Sequence, residues 1–307
     1  MRFSLWTSTG RPWGAILDAA RTAEEVGCDG LWVPDHFMPP AGGYGTSPAG
    51  SDPEREPVHE AWTTLAALAG LIPRLRLGVL VSGNTYRHPA VLAKMAATVD
   101  HISRGRLILG LGASWQENEH RRYGIDYGTA ADRSDRLEEA AAMITALFSQ
   151  DRASHHGKHY RLEDAPLEPK PLQSPLPLLI GGGGERRTLR TAARHATAWN
   201  VWGLPMSLAR KGAILDAYCR EEGRDPSAVD HTVAAFLDIV DDPAAAAASR
   251  ERLGEKGGLV GTPAELRSAV AAYADAGVVE LIIPDYNHTA ATRRAALTRL
   301  REEVLSL

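Results

Sequence analysis

Asp35 and His36 stand side by side at the end of a short apolar run, Gly30 to Pro34, and open a long Gly/Pro/Ser-rich stretch. An imidazole changes charge near neutral pH and can act as general acid or hydrogen-bond donor. Neighbouring Asp and His also serve as ordinary structural hydrogen-bonders, so the placement of the pair has to decide. A second signal is the run Gly181-Gly182-Gly183-Gly184 ahead of Glu185-Arg186-Arg187 and a helical stretch. Without Cβ atoms the chain turns tightly and approaches a ligand closely. Free N–H groups at a following helix start then suit an anion, a phosphate above all. A merely flexible turn is the alternative. The run lacks the dinucleotide-binding spacing, no carboxylate stands near position 200 for a ribose hydroxyl, and no Gly-Lys-Ser/Thr follows. His155, His156 and His159 lie in a polar stretch without a matching carboxylate, which reads as a solvated loop rather than a metal site. A His-Glu-x-x-His pair, a cysteine-pair array and a Gly-x-Ser-x-Gly elbow are all missing, so zincin and serine-hydrolase chemistry have no support.

The elements that must position these residues alternate along the chain. Short apolar runs are expected as strands at Arg2 to Trp6, Gly30 to Pro34, Leu75 to Val81, Arg106 to Leu111, Leu176 to Ile180, Ala196 to Trp202, Thr232 to Val240 and Val279 to Ile283. Helical patterns fill most gaps, including Ala15 to Val26, Glu60 to Leu71 and Asp132 to Phe148. A further helix follows Pro89, with Val91, Met95, Val99 and Ile102 expected as its apolar face. Strand–helix alternation implies parallel strands with helical crossovers, and eight units favour a closed (β/α)8 TIM barrel in one domain over residues 1–307. An internal echo agrees: Glu25 to Asp35 and Asp275 to Asp285 both read helix end, Gly, strand, Pro-Asp.

Chemistry in such barrels gathers at the carboxyl ends of strands. Those ends carry Asp35-His36, Ser82-Gly83-Asn84, Gly112-Ala113-Ser114-Trp115, the four glycines, Trp199-Asn200-Val201-Trp202, and Asp285. Two insertions interrupt the rhythm, after strands 2 and 4. Met38 to His59 is a candidate lid, and Arg152 to Pro175 is expected to be irregular. Trp6, Trp62, Trp115, Trp199 and Trp202 offer either an aromatic pocket or plain barrel packing.

With 307 residues, 44% apolar and 23% charged, the chain has the composition of a soluble globular protein. The net charge of −4 gives no basic footprint for nucleic acid or an anionic membrane. No apolar run reaches membrane-spanning length, and the start Met1 to Thr7 reads as a strand rather than a signal peptide. Cys28 and Cys219 are expected as reduced thiols of a cytoplasmic protein.

Five pieces in order carry a resemblance: Leu31 to His36, Ser82 to Ala90, Gly105 to Trp115, Glu119 to Gly124, and Pro177 to Gly184. Together, over Arg2 to about Pro284, the chain resembles the luciferase-like monooxygenase superfamily, and most of all its coenzyme F420-dependent branch. The resemblance implies a deazaflavin bound at the barrel mouth, faced by Asp35 and His36. It implies a bulge at Leu80, Val81 and Ser82 with a non-prolyl cis peptide behind the cofactor, contacts from Ala113, Ser114 and Asn118, and a phosphate loop of Gly182, Gly183, Gly184 and Glu185. It places Trp202 at the substrate and implies a homodimer. Where some sugar-phosphate dehydrogenases of the branch carry a catalytic Glu, this chain has Trp115, here expected in the substrate pocket. His36 is then the candidate proton carrier. The phosphate loop follows strand 5, unlike the generic barrel site after strands 7 and 8.

The resulting reading is hydride transfer between the deazaflavin C5 and a small organic substrate, without nucleic acid, membrane or metal. An FMN-dependent monooxygenase of the same fold and a non-catalytic flavin-binding protein are the alternatives.

Overall fold

Residues 1–43, 51–256 and 258–306 are described by a computed structural model. Tyr44 to Gly50, the middle of the candidate lid, lie outside the described residues. The eight expected strands form as β1 (Arg2–Trp6), β2 (Gly30–Val33), β3 (Arg76–Val79, continued by Ser82–Gly83), β4 (Leu107–Gly112), β5 (Leu178–Gly181), β6 (Ala198–Trp202), β7 (Asp230–Ala234) and β8 (Val278–Pro284). Hydrogen bonding follows the order β3-β2-β1-β8-β7-β6-β5-β4, and β3 pairs again with β4. This is the closed eight-stranded parallel barrel with helical crossovers that the alternation implies.

The chain divides into two compact units. The first comprises Met1–Ser8, Gly14–Trp32 and Gly182–Leu307. In it β1 lies between β2 and β8, with Phe3 opposite Leu281 and Leu5 opposite Ile283, all four buried. The echoed segments behave alike: Gly27 and Gly277 take φ of 85° and 84°, which glycine adopts without penalty, and each precedes a buried strand. Asp285 after β8 is buried against Arg293 at 3.2 Å, and Arg293 also reaches Asp18 at 2.8 Å.

The second unit comprises Thr9–Trp13 and Val33–Gly181. Its strand β4 reads Leu-Ile-Leu-Gly-Leu-Gly and is buried throughout. A Cβ on Gly112 would stand 2.5 Å from Val81 Cγ2, and one on Gly181 would stand 2.8 Å from Val81 Cγ1. The glycines therefore make room for the Val81 side chain. The Leu80-Val81 peptide is cis, as the resemblance implies, and beyond it Ser82 and Gly83 return to pair with Leu111 and Gly112.

Three expectations are corrected. The helix Pro89–Ser103 buries Leu92, Ala93, Ala96, Ala97 and Val99, while Val91 and Ile102 are exposed. Small alanines allow close packing on the strands, so they, not the bulkiest apolar residues, mark the inner face. The run Thr232 to Val240 is two strands, β7 and Leu237–Ile239, the second pairing with Leu259–Gly261. Between them the chain changes partner, with the Phe236 N–H donating to Lys256 O at 2.8 Å. Within Arg152 to Pro175, Arg152–His156 and Arg161–Pro166 form an antiparallel hairpin. No helix among the described residues is long and apolar enough to cross a membrane.

Candidate active site

In the second unit the segment following β2 brings Asp35 and His36 to different partners. The Asp35 carboxylate is buried, accepting from Arg87 at 2.6 and 3.1 Å and from the Gly83 N–H at 3.0 Å. Arg87 also pairs with Glu60, the N-cap of the helix Ala61–Leu71. Two carboxylates thus hold one guanidinium, and Asp35 fixes the bulge beside Gly83.

His36 turns instead to Glu119, with Nδ1 2.8 Å from Oε1. Glu119 is fully buried in the helix Glu117–Tyr123 and also accepts from the Phe37 N–H at 2.8 Å and from the Tyr86 hydroxyl. Burial, then the Glu119 carboxylate, pushes the Tyr86 phenol up, so it stays a neutral donor. A carboxylate oxygen only accepts, so a neutral His36 carries its proton on Nδ1 and leaves the Nε2 lone pair available. The ring is partly exposed, and the Trp115 indole stands edge-on to it at 5.4 Å.

A second chain of hydrogen bonds orients Ser114. His120 is buried, and its Nδ1 lies 2.6 Å from Gln116 O, an acceptor. With Nδ1 as the donor, a neutral His120 ring accepts at Nε2 from Thr85 Oγ1, 2.6 Å away. Thr85 in turn accepts from Ser114 Oγ at 2.8 Å. Ser114, at φ 66°, is left presenting lone pairs rather than a proton. Ala113 beside it is half-buried. Ser82 Oγ accepts from Trp62 Nε1 at 3.0 Å, which accounts for the buried Trp62 as a wall of the bulge. The Asn118 amide donates to Pro39 O at 3.0 Å and Glu54 at 3.1 Å, so it ties down the segment after β2.

In the first unit the glycine run follows β5. Gly182 has φ of 124°, its N–H donates to Asn200 O, and its carbonyl accepts from the buried Trp199 Nε1 at 2.8 Å. A Cβ on Gly183 would come 3.0 Å from Val201 Cγ2, and one on Gly184 would come 2.8 Å from Thr188 Oγ1. The loop is a cradle that side chains would fill. Lys211 Nζ donates to Gly183 O at 2.7 Å and to Glu185 at 3.0 Å, and Arg210 reaches Glu185 at 2.6 Å. These two cations hold the Glu185 carboxyl down at about 2. Trp202 ends β6 and packs on Trp6 at 5.7 Å.

Taken by itself, the second unit offers a bulge seated on glycines with oriented acceptors beside it, which suits the ring of a deazaflavin; the first offers a glycine cradle flanked by cations, which suits a phosphate. Sequence reasoning assigned no role to Glu119, Tyr86, Arg87 or Lys211. No sequence signal marks Glu119, because its burial follows only from the fold.

The model of a family described as luciferase-like monooxygenase matches residues 1–253. An F420-dependent glucose-6-phosphate dehydrogenase of Kineococcus radiotolerans is 32% identical over 244 residues, 76% of this chain and 66% of that protein. A phthiodiolone/phenolphthiodiolone dimycocerosates ketoreductase of Mycobacterium bovis is 33% identical over 71% of this chain and 58% of its own length. The matches thus span somewhat under two thirds of these relatives. Among solved structures, an F420-dependent secondary alcohol dehydrogenase in complex with an F420-acetone adduct superimposes with a TM-score of 0.84 at 18% identity, over 99% of this chain and 98% of that one.

Proposed function

The chain belongs to the luciferase-like monooxygenase family, and on that premise we propose that it is a coenzyme F420-dependent oxidoreductase acting on the carbonyl/alcohol couple of a small organic substrate. Relatives named as F420-dependent dehydrogenase and as ketoreductase support the cofactor and the couple. When bound, the deazaflavin supplies hydride chemistry at C5. The protein's residues do the rest. Leu80, Val81 and Ser82 back the ring, and Ala113 and Ser114 border it, with Ser114 offering lone pairs. Gly182, Gly183 and Gly184 cradle the phosphate with Lys211 and Arg210 beside it, and Glu185 holds those two cations in place. Asp35 and Asn118 act by fixing the bulge and the segment around Pro39.

His36 is the proton carrier in this reading, and its 2.8 Å contact with buried Glu119 is the observation that carries it. As an alcohol loses hydride, Nε2 takes the hydroxyl proton and Glu119 stabilises the resulting imidazolium. In the reverse direction the same nitrogen returns the proton to the carbonyl oxygen. Trp115 and Trp202 border the substrate. The test is side-by-side titration with F420 and FMN, followed by assay of ketone reduction with reduced F420. At least tenfold tighter F420, about 1.4 kcal/mol, is expected. Equal affinities, or tighter FMN, would defeat the reading.

A further inference from the structure

Four aromatic side chains of the first unit close a circle of ring contacts. Trp6 meets Trp202 at 5.7 Å and Tyr286 at 5.5 Å; Phe236 meets Trp202 at 5.4 Å and Tyr286 at 6.4 Å. Trp6 and Trp202 are the last residues of β1 and β6, while Phe236 and Tyr286 lie two residues beyond β7 and β8. Each therefore stands at a strand's carboxyl end, where barrels of this kind bind their substrates. None is fully buried: Tyr286 is 37% exposed and the other three are partly so. Core aromatics in this unit, such as Trp199 at 0%, behave differently.

Two polar side chains of the adjoining turn are engaged with the backbone. Asn287 Nδ2 and His288 both reach Leu237 O, at 3.3 and 3.0 Å. What remains is a rigid apolar surface, each ring braced by two others, with the Lys256 ammonium over the Trp202 ring at 5.2 Å. A sugar ring laid on these ring faces would replace few of the hydrogen bonds it loses to water. An alkyl or aryl group would gain by leaving water.

We propose that this aromatic circle is the substrate subsite and that it selects a hydrophobic ketone or secondary alcohol, its alkyl or aryl substituent resting on the four rings. The proposal rests on the reading of the chain as an F420-dependent oxidoreductase of the carbonyl/alcohol couple. Its test separates the two. The protein loaded with oxidised F420 is titrated calorimetrically with acetone, 2-pentanone, 2-octanone, acetophenone and glucose 6-phosphate. Reduction of the ketones by reduced F420 is followed in parallel through the deazaflavin absorbance. Affinity is expected to rise about two- to fourfold per added methylene, with acetophenone at least about tenfold tighter than acetone and glucose 6-phosphate weakest. Trp202→Ala should flatten the series. Phe236→Leu, which keeps apolar volume if the first variant fails to fold, should keep the alkyl trend and lose the preference for acetophenone. A flat series in the parent, tighter glucose 6-phosphate, an unchanged alkyl trend in folded Trp202→Ala, or an unchanged preference for acetophenone in folded Phe236→Leu overturns the subsite. Tight binding of the long ketones without any reduction overturns the functional reading and leaves the subsite standing.

Discussion

His36 Nδ1 lies 2.8 Å from Oε1 of Glu119, a carboxylate without solvent exposure that also holds the Phe37 N–H and the Tyr86 hydroxyl. The imidazole is thereby fixed in one tautomer. His36→Ala should lower kcat by about 10²–10⁴ with little change in F420 affinity. Glu119→Gln should leave the barrel folded, reduce kcat by a smaller factor, and shift the pH profile of kcat, because a neutral amide no longer stabilises the imidazolium. Nitrogen NMR of ring-labelled protein gives an assay-free check: a proton found predominantly on Nε2 of neutral His36 would contradict the assignment.

The glycine cradle predicts a binding defect without a folding defect. Gly183 is outside the left-handed region, so alanine is compatible with its backbone, yet the added Cβ would stand 3.0 Å from Val201 and 3.4 Å from Lys211 Nζ. Gly183→Ala should weaken F420 binding about tenfold or more while thermal stability changes little. Fluorescence titration of the folded variant decides it, and parent-like affinity would remove the loop from the cofactor site.

Gly112→Ala should behave in the opposite way. Its Cβ would stand 2.5 Å from Val81 Cγ2, inside a fully buried strand. Overpacking of this kind costs about 1–3 kcal/mol and would push Val81 out of its seat. A lowered unfolding midpoint together with weaker F420 binding is expected. A variant with parental stability would show that the bulge yields without cost.

Tyr273 links stability to alkaline pH. Its hydroxyl donates to Gly203 O at 3.0 Å just past Trp202, and burial pushes its phenol up from 10 to about 12. A raised folded-state value means the contribution is present below pH 10 and is lost as pH rises through about 12. Urea midpoints between pH 7 and 11.5 should fall above pH 10 in the parent. Tyr273→Phe should be less stable at neutral pH by about 1 kcal/mol and show a shallower alkaline decline. Parallel curves would rule Tyr273 out as the group responsible.

The strands, the glycine run and the placement of His36 at a strand end were legible because burial on both faces leaves short apolar runs bounded by turn residues. The partners were not. Glu119 is 83 residues from His36 and Arg87 is 52 from Asp35, and no local pattern reports a contact across such distances. The hairpin of Arg152–His156 with Arg161–Pro166 was missed for another reason. It buries little more than Ala153 and Leu162, so its alternation is nearly all polar and resembles a loop. The helix Pro89–Ser103 misled through size, since Val91 and Ile102 are larger than the alanines that face inward.

Glu60 serves two masters. Its carboxylate accepts from the Trp62 and Thr63 N–H groups at the start of the helix Ala61–Leu71, and it also pairs with Arg87, which holds Asp35. Fraying of that helix therefore cannot proceed alone. Releasing the cap also strips Arg87 of one counter-charge and loosens the grip on buried Asp35, so the first turn of the helix, the residues around Arg87 and the end of β2 share one opening free energy. In native-state hydrogen exchange their slowest amides should report a single cooperative unit, and the rigidity of the bulge is thus set in part by a helix cap.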